Sequence, residues 1–127
     1  MDERTIEILN RFKKSWADTE QFFTDLTDNY VGFERLQATR QFLDNLKQNG
    51  GEQLFRLGTS IHILYISRSV NFGLRPEQKY ISIETLDTEF EVCLRDGNQV
   101  YQSYKVDYLS DERVTRLLKT LKSVLID

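Results

Sequence analysis

The chain has 127 residues, with 17 Lys and Arg against 20 Asp and Glu, so its formal net charge is −3 with the single His neutral. At this length we predict one domain over 1–127, which buries about 68% of the surface that an unfolded chain exposes. One Cys excludes a disulfide within the chain and an all-cysteine zinc site, and one His excludes paired-histidine metal motifs. We therefore predict no metal and no cofactor, and the balance of charges argues against nucleic-acid binding.

The first half of the chain predicts two helices that fold into a hairpin. Apolar and aromatic side chains recur every three to four residues as far as Asn29, and again from beyond Gly32 until Gly51. Phe22 and Phe23 point about 100° apart on a helix, so both cannot lie centrally on one face. The hairpin is therefore a candidate surface for a partner protein or for a second copy in a homodimer. The alternative is that a curved sheet wraps these helices.

After Gly51 the hydrophobic period changes to two, which predicts five strands. The first is expected at 54–57, with a turn or bend at Gly58 and Thr59. The second is expected at 61–66, where apolar residues on both faces indicate a strand inside the sheet.

The third and fourth predicted strands support each other, because one register places all their apolar partners on one face. The pairs in that register are Thr85 with Phe90, Ile83 with Val92, and Ile81 with Leu94.

The Asp96-Gly97 pair predicts a hairpin to the fifth strand. A two-residue loop would set Val92 opposite Tyr101, whereas a three-residue loop would set Leu94 opposite Val100. The longer loop is favoured because it brings more apolar pairs together.

A final amphipathic helix follows Ser110, the predicted N-cap. Its apolar stripe consists of Val114, Leu117, Leu118, Leu121, Val124 and Leu125. The basic residues off the stripe, interpreted as the polar side of the helix, are Arg113, Arg116, Lys119 and Lys122. The predicted fold class is α+β, with an N-terminal helical hairpin, a five-stranded, mainly antiparallel meander sheet, and a C-terminal amphipathic helix packed on the sheet.

The sequence contains no phosphate-binding glycine loop and no nucleophile accompanied by a base and an orienting group. We predict no catalytic residues, which favours a protein that is not an enzyme. His62 is interpreted as a structural, hydrogen-bonded histidine. The alternative is a small-molecule-binding protein or an enzyme with a pocket between the curved sheet and the helices, lined by His62, Tyr65 and Tyr104.

Residues 68–76 belong to a connection longer than the roughly two to five residues of ordinary hairpin loops. Apolar side chains alternate along it between two arginines, the combination that binding surfaces favour. The candidate partner-binding residues are Arg68, Val70, Phe72, Leu74 and Arg75. The alternative is that the second strand continues past a bend and packs these residues at a sheet edge.

Together these observations predict a non-enzymatic, cytoplasmic domain that binds another protein, as an adaptor, an inhibitor or an immunity-type protein would. Binding would use the 68–76 loop, the helical hairpin, or both. The longest uncharged run, 57–67, is far shorter than the ~20 apolar residues that cross a bilayer, so no membrane partner is predicted.

Overall fold

The computed structural model of the chain describes residues 2–60, 62–69, 78–97 and 99–123. Its elements, in chain order, are α1 (Glu3–Asn29), α2 (Leu36–Gln48), α3 (Gly51–Leu54), β1 (Arg56–Ser60), β2 (Ile63–Ser67), β3 (Lys79–Thr85), β4 (Phe90–Asp96), β5 (Gln99–Val106) and α4 (Glu112–Lys122). The five strands form one antiparallel sheet in the order β1-β2-β3-β4-β5. The predicted α+β arrangement is confirmed.

Helix α1 begins where the Asp2 carboxylate accepts a 2.7 Å hydrogen bond from the Thr5 N–H, which satisfies one of the free amides of the first turn. The side chains that it buries repeat at helical spacing, namely Phe12, Ser15, Trp16, Thr19 and Phe23. Phe22, whose orientation the sequence left open, is half-buried and meets the Phe23 ring edge-on at 5.6 Å.

Helices α1 and α2 form the predicted antiparallel hairpin. Near the start of α2, the Arg40 guanidinium donates a 2.8 Å hydrogen bond to the Thr27 hydroxyl near the end of α1. At the other end of α2, Lys47 lies 3.2 Å from the Glu20 carboxylate. The start of α2 therefore faces the end of α1, and the end of α2 faces an earlier part of α1.

The junction after α2 differs from the prediction. A strand was expected at 54–57, but residues 51–54 form the short helix α3, and β1 follows at 56–60. Gly50 adopts a φ of +86°, which ends α2, and the Phe55 N–H then bonds to the Gly51 carbonyl at 2.9 Å to complete one more helical turn. Gly58 and Thr59 stay in the ladder with β2, so no bend occurs there.

The outer edge of β1 lies against α1. The Leu57 N–H donates to the Ser15 hydroxyl at 3.0 Å, and the Trp16 indole donates to the Phe55 carbonyl at 2.9 Å. These bonds satisfy one backbone group in β1 and one just before it, so α1 covers the start of this sheet edge.

Strands β3 and β4 pair as predicted, in the register that sets Ile83 opposite Val92. The register of β4 with β5 differs from both predicted alternatives. The hairpin pairs Asp96 with Gln99, and a shift beyond Arg95 then leaves Tyr101 with no partner in β4. This bulge permits a short turn while keeping apolar residues of the two strands on one face.

One face of the sheet packs against the helices and is called the helix-side face. Its apolar residues form one hydrophobic cluster together with residues of the helices. Its sheet residues in that cluster are Leu57, Leu64, Ile66, Ile81, Ile83, Phe90, Val92, Leu94 and Val106. The cluster also contains Trp16 and Phe23 of α1, and Leu36 and Leu43 of α2. The opposite, outer face carries Ser82, Cys93, Ser103 and other mainly polar residues.

The N-cap of helix α4 lies one residue later than predicted. Asp111, not Ser110, has the extended backbone of a cap, and its carboxylate accepts from the Arg113 N–H at 2.9 Å. The predicted stripe residues Val114, Leu117, Leu118 and Leu121 are buried in the hydrophobic cluster, whereas 124 and 125 lie outside the described residues. Within the described chain, no helix combines the length and apolar character that spanning a membrane requires.

Candidate binding groove

Of the predicted partner-binding residues, the structure describes Arg68 alone, and Val70, Phe72, Leu74 and Arg75 lie outside the described residues. The Arg68 guanidinium donates a hydrogen bond to the Lys122 carbonyl, in the last residue of α4. Burial lowers the pKa of Arg68 from its ordinary value. A cation at this position satisfies a terminal carbonyl and complements the negative end of the helix dipole, which gives Arg68 a structural role.

The structure does not bring the three predicted pocket residues together. His62 lies in the turn between β1 and β2 and is half-buried. Tyr65 lies on the outer face of the sheet, where its ring meets Tyr80 edge-on at 5.9 Å. Tyr104 lies opposite Val92 on the helix-side face, with the Arg113 guanidinium 5.5 Å from its ring centre.

A groove of about 750 Å³ lies between α2 and α4. Its apolar side chains come from α2, β4, the segment after β5, and α4, namely Phe42, Leu46, Phe90, Leu109 and Leu118. Its other described lining residues are Ala38, Gln41, Asn45, Asn49, Tyr108, Ser110, Thr115, Lys119 and Lys122. Phe90 and Leu118 are buried in the core, so the floor of the groove is continuous with the hydrophobic cluster.

The α2 wall carries a row of carboxamides. Gln41, Asn45 and Asn49 are four residues apart and therefore follow one face of the helix. The Asn49 side chain donates a 2.8 Å hydrogen bond to the backbone carbonyl of Asn45. This bond holds the Asn49 carboxamide beside the end of α2. Carboxamides both donate and accept, so this wall can bind the polar groups of an occupant of either charge.

The α4 wall is cationic. Among the described residues that line the groove there are two lysines, Lys119 and Lys122, and no carboxylate. The acidic residues at the start of α4 are already paired, since Glu112 lies 3.3 Å from Arg116 and Asp111 lies 3.1 Å from Arg113. Neither lysine forms an ion pair within the described part of the chain. Their charges are therefore available to an anionic occupant.

The Asp111 cap of α4 should make the stability of this wall depend on pH. Hydrogen bonds from the Arg113 side chain and backbone lower the pKa of Asp111 from 3.8 to about 2. The folded state thus favours the carboxylate, and this contribution is complete above about pH 4 and disappears as the pH falls towards 2.

We expect Asp111→Asn to be less stable than wild type at neutral pH, because asparagine can cap the helix but carries no charge to form the ion pair with Arg113. Thermal unfolding followed by circular dichroism from pH 7 down to pH 2 measures the difference. The gap in melting temperature should shrink between about pH 4 and pH 2. A gap that is constant or grows across this range would show that Asp111 does not act through its charge.

Sequence reasoning missed the groove because it treated each helix separately. Phe42 lies beside the main apolar stripe of α2, so this helix is apolar over a wider face than one contact needs. This wide apolar face and the row of carboxamides beside it are the features of the sequence from which the groove could have been predicted. The approach of α2 to α4, which are separated by the whole sheet in sequence, depends on tertiary packing.

Among residues 2–60, 62–69, 78–97 and 99–123, no three His, Cys, Asp or Glu side chains lie close enough to share a metal ion. Comparison of the chain with protein families, with curated proteins and with solved structures finds no match. The groove is therefore interpreted from its own geometry and chemistry.

Proposed function

We propose that this domain binds another protein and that the groove between α2 and α4 receives an amphipathic helix of the partner. The observation that supports this proposal is the combination of an apolar floor, a carboxamide wall and a wall of two available lysines. The groove extends the predicted helical-hairpin surface, because α2 forms one side of it.

The dimensions of the α2 wall suit a helical occupant. Gln41 to Asn49 covers eight residue steps, or about 12 Å of helix axis, which matches roughly two turns of a partner helix. Such a segment presents about three apolar side chains to a groove, at positions i, i+3 or i+4, and i+7. Phe42 and Leu46, one turn apart on α2, would pack between those side chains.

The charge of the α4 wall specifies the polar flank of the partner helix. Lys119 and Lys122 are three residues apart, on neighbouring turns of one helix face. A partner helix with Asp or Glu on successive turns of one flank would place its carboxylates beside them. These contacts would mainly determine which partner is accepted and how fast it associates.

Selection from a library of displayed helical peptides tests this proposal. The peptides share a fixed apolar stripe and carry random residues on both flanks, and the full chain serves as the immobilised target. The expected result is enrichment of Asp and Glu on one flank only. Selected peptides with no acidic preference would contradict the proposal.

Two matched substitutions, each of an alanine by tryptophan, locate the binding site in that experiment. Ala38 lines the groove and Ala17 lies on α1, and both are exposed positions in a helix. Ala38→Trp should block the groove and abolish peptide binding, whereas Ala17→Trp should leave it unchanged. Equal effects of the two substitutions would assign the peptides to another surface.

A small apolar carboxylate is the second candidate occupant. The groove volume of about 750 Å³ lies within the ~300–1,000 Å³ range of small-molecule sites, and the lysines could bind the carboxylate. Calorimetric titration with dodecanoate tests this candidate. Binding that Ala38→Trp removes would support it, and absence of heat with wild type would exclude this probe.

We also propose a cytoplasmic setting and a role as an adaptor, an inhibitor or an immunity-type protein. The setting is supported by cysteine usage, because the chain has one cysteine, whereas small domains of oxidising compartments usually carry several in disulfides. Contacts made by the 68–76 loop stay a prediction.

A further inference from the structure

One exposed aromatic side chain lies on the groove between α2 and α4. In the described chain, the exposed large apolar and aromatic residues are Ile6, Tyr30, Val31, Val100, Tyr101 and Tyr108. Tyr108 is 73% exposed, and it alone of these six lines the groove. An aromatic ring that stays in water beside an apolar floor is typical of a protein interface, because only a partner can cover it.

The backbone holds Tyr108 in place just before α4. Val106, the last residue of β5, is buried opposite Phe90, and Leu109 is buried in the hydrophobic cluster. The Asp111 N–H donates a 3.1 Å hydrogen bond to the Tyr108 carbonyl, which closes a turn ahead of the helix. Because a tyrosine side chain has few rotatable bonds, ordering its ring on binding costs little conformational entropy. Tyr108 is therefore suited to anchor a partner.

The two groove lysines lie at the other end of α4. The helix begins at Glu112, shortly after Tyr108, and Lys119 and Lys122 belong to its last turn. Lys119 is seven residues beyond Glu112 and Lys122 is ten, which correspond to about 10 and 15 Å along the helix axis. An aromatic contact and a cationic contact therefore mark the two ends of one groove wall.

We propose that Tyr108 is the hot spot of the groove and that the partner helix is recognised at two points. A large apolar side chain of the partner packs on the Tyr108 ring. Carboxylates about seven to ten residues away along the partner helix meet Lys119 and Lys122. This inference rests on the proposed function, and it specifies the residue pattern that a partner must carry.

This pattern places both contacts on one face of the partner helix. Residues i and i+7 are about two turns apart and differ by only about 20° around the helix axis. An apolar side chain at i+3 or i+4 then reaches the floor of the groove between them. The aromatic contact supplies most of the affinity, whereas the exposed lysines act mainly on selectivity and on the association rate.

Substitution of Tyr108 tests the anchor, with fluorescence anisotropy of the labelled acidic peptide from the selection as the measurement. Tyr108→Ala should weaken binding by about thirtyfold, the effect of an interface hot spot. Tyr108→Phe should retain most of the affinity, because it keeps the ring. Tyr30→Ala is the matched control and should leave the affinity unchanged, since Tyr30 is 61% exposed but is not one of the described residues that line the groove. Circular dichroism verifies that each variant is folded.

The outcomes separate this inference from the proposed function. Binding that Ala38→Trp blocks but Tyr108→Ala leaves unchanged would overturn the anchor, while the proposed function would stand. Equal losses from Tyr108→Ala and Tyr30→Ala would also overturn it, because the effect would not belong to the groove. Binding that neither Ala38→Trp nor Tyr108→Ala affects would contradict the proposed function, and the anchor with it.

A shift of the acidic residues within the peptide tests the spacing. The anchored residue is the apolar peptide position whose alanine substitution costs affinity with wild type but not with Tyr108→Ala. In a second synthetic peptide of equal composition, the acidic residues stand one helical turn closer to that position. This peptide should bind more weakly and should no longer respond to Lys119→Gln with Lys122→Gln. Equal affinity with an undiminished response to both lysines, or no peptide position coupled to Tyr108, would contradict recognition at two points.

Discussion

Replacing Trp16 with alanine should lower the free energy of unfolding by about 3–5 kcal/mol, the usual cost of removing a large buried aromatic side chain. Trp16 is only 1% exposed and belongs to the main hydrophobic cluster. Its indole also donates to the Phe55 carbonyl at 2.9 Å, just before β1 begins. The substitution would therefore leave a cavity and an unpaired carbonyl beside the protected sheet edge.

Urea unfolding followed by tryptophan-independent circular dichroism measures this loss. Trp16→Phe should cost less than Trp16→Ala, because it keeps most of the ring volume and removes mainly the hydrogen bond. Tyr30→Ala is the matched control, since Tyr30 is an aromatic residue near the end of α1 with 61% exposure. An equal effect at Trp16 and Tyr30 would contradict the assignment of Trp16 to the core.

Reversing both groove lysines, with Lys119→Glu and Lys122→Glu, should weaken binding of a selected acidic peptide by about tenfold or more. An exposed ion pair contributes up to about 1 kcal/mol, and reversal replaces two attractions with two repulsions, while about 1.4 kcal/mol corresponds to tenfold. The association rate should fall further in low salt, because charge at the rim acts over long distances.

Fluorescence anisotropy of the labelled peptide measures this affinity. The double glutamine variant at the same positions should show an intermediate loss, since it removes attraction without adding repulsion. Lys13→Glu with Lys14→Glu is the matched control, because it makes the same change of net charge on exposed residues of α1. If that control weakens binding as much, the effect comes from overall charge and not from the groove.

The sequence predicted those elements whose pattern is set by local contacts or by nearest neighbours in the chain. The apolar residues recur with helical spacing as far as Asn29, and this pattern predicted α1 correctly. It did so because the helix buries one continuous apolar stripe against the core. The pairing of Ile83 with Val92 was predictable because both strands alternate and only a short turn joins them. In both cases the period of the hydrophobic pattern was compatible with only one structure, a single helix in the first case and a single strand register in the second.

The prediction was wrong where backbone geometry, and not side-chain period, decided the structure. Gly50 in a left-handed conformation allows an extra helical turn before β1, which the alternation of residues 54–57 concealed. The bulge at Tyr101 changes the register between β4 and β5 by one residue. Counting loop residues after Gly97 therefore predicted a register that does not occur. Bulges are set by strand twist and packing, which a residue count does not report.

The candidate site was harder to predict because its walls are distant in sequence. Gln41 and Lys119 line one groove only after the sheet has folded between the helices that carry them. Conversely, Tyr65 and Tyr104, which were predicted to share a pocket, lie on opposite faces of the sheet. Whether Tyr65 and Tyr104 share a face depends on the registers of three strand pairs, β2–β3, β3–β4 and β4–β5. A one-residue error in any of these registers moves one tyrosine to the opposite face.

The central proposal, that the groove between α2 and α4 binds a partner helix, is tested most directly by backbone amide shifts in nuclear magnetic resonance. The full chain is labelled with ¹⁵N and titrated with the acidic peptide that the selection yields. We predict that the largest shift changes occur at groove residues of α2 and α4, including Asn45 and Lys119. Largest changes on β5, or on the outer face around Tyr65, would contradict the proposal.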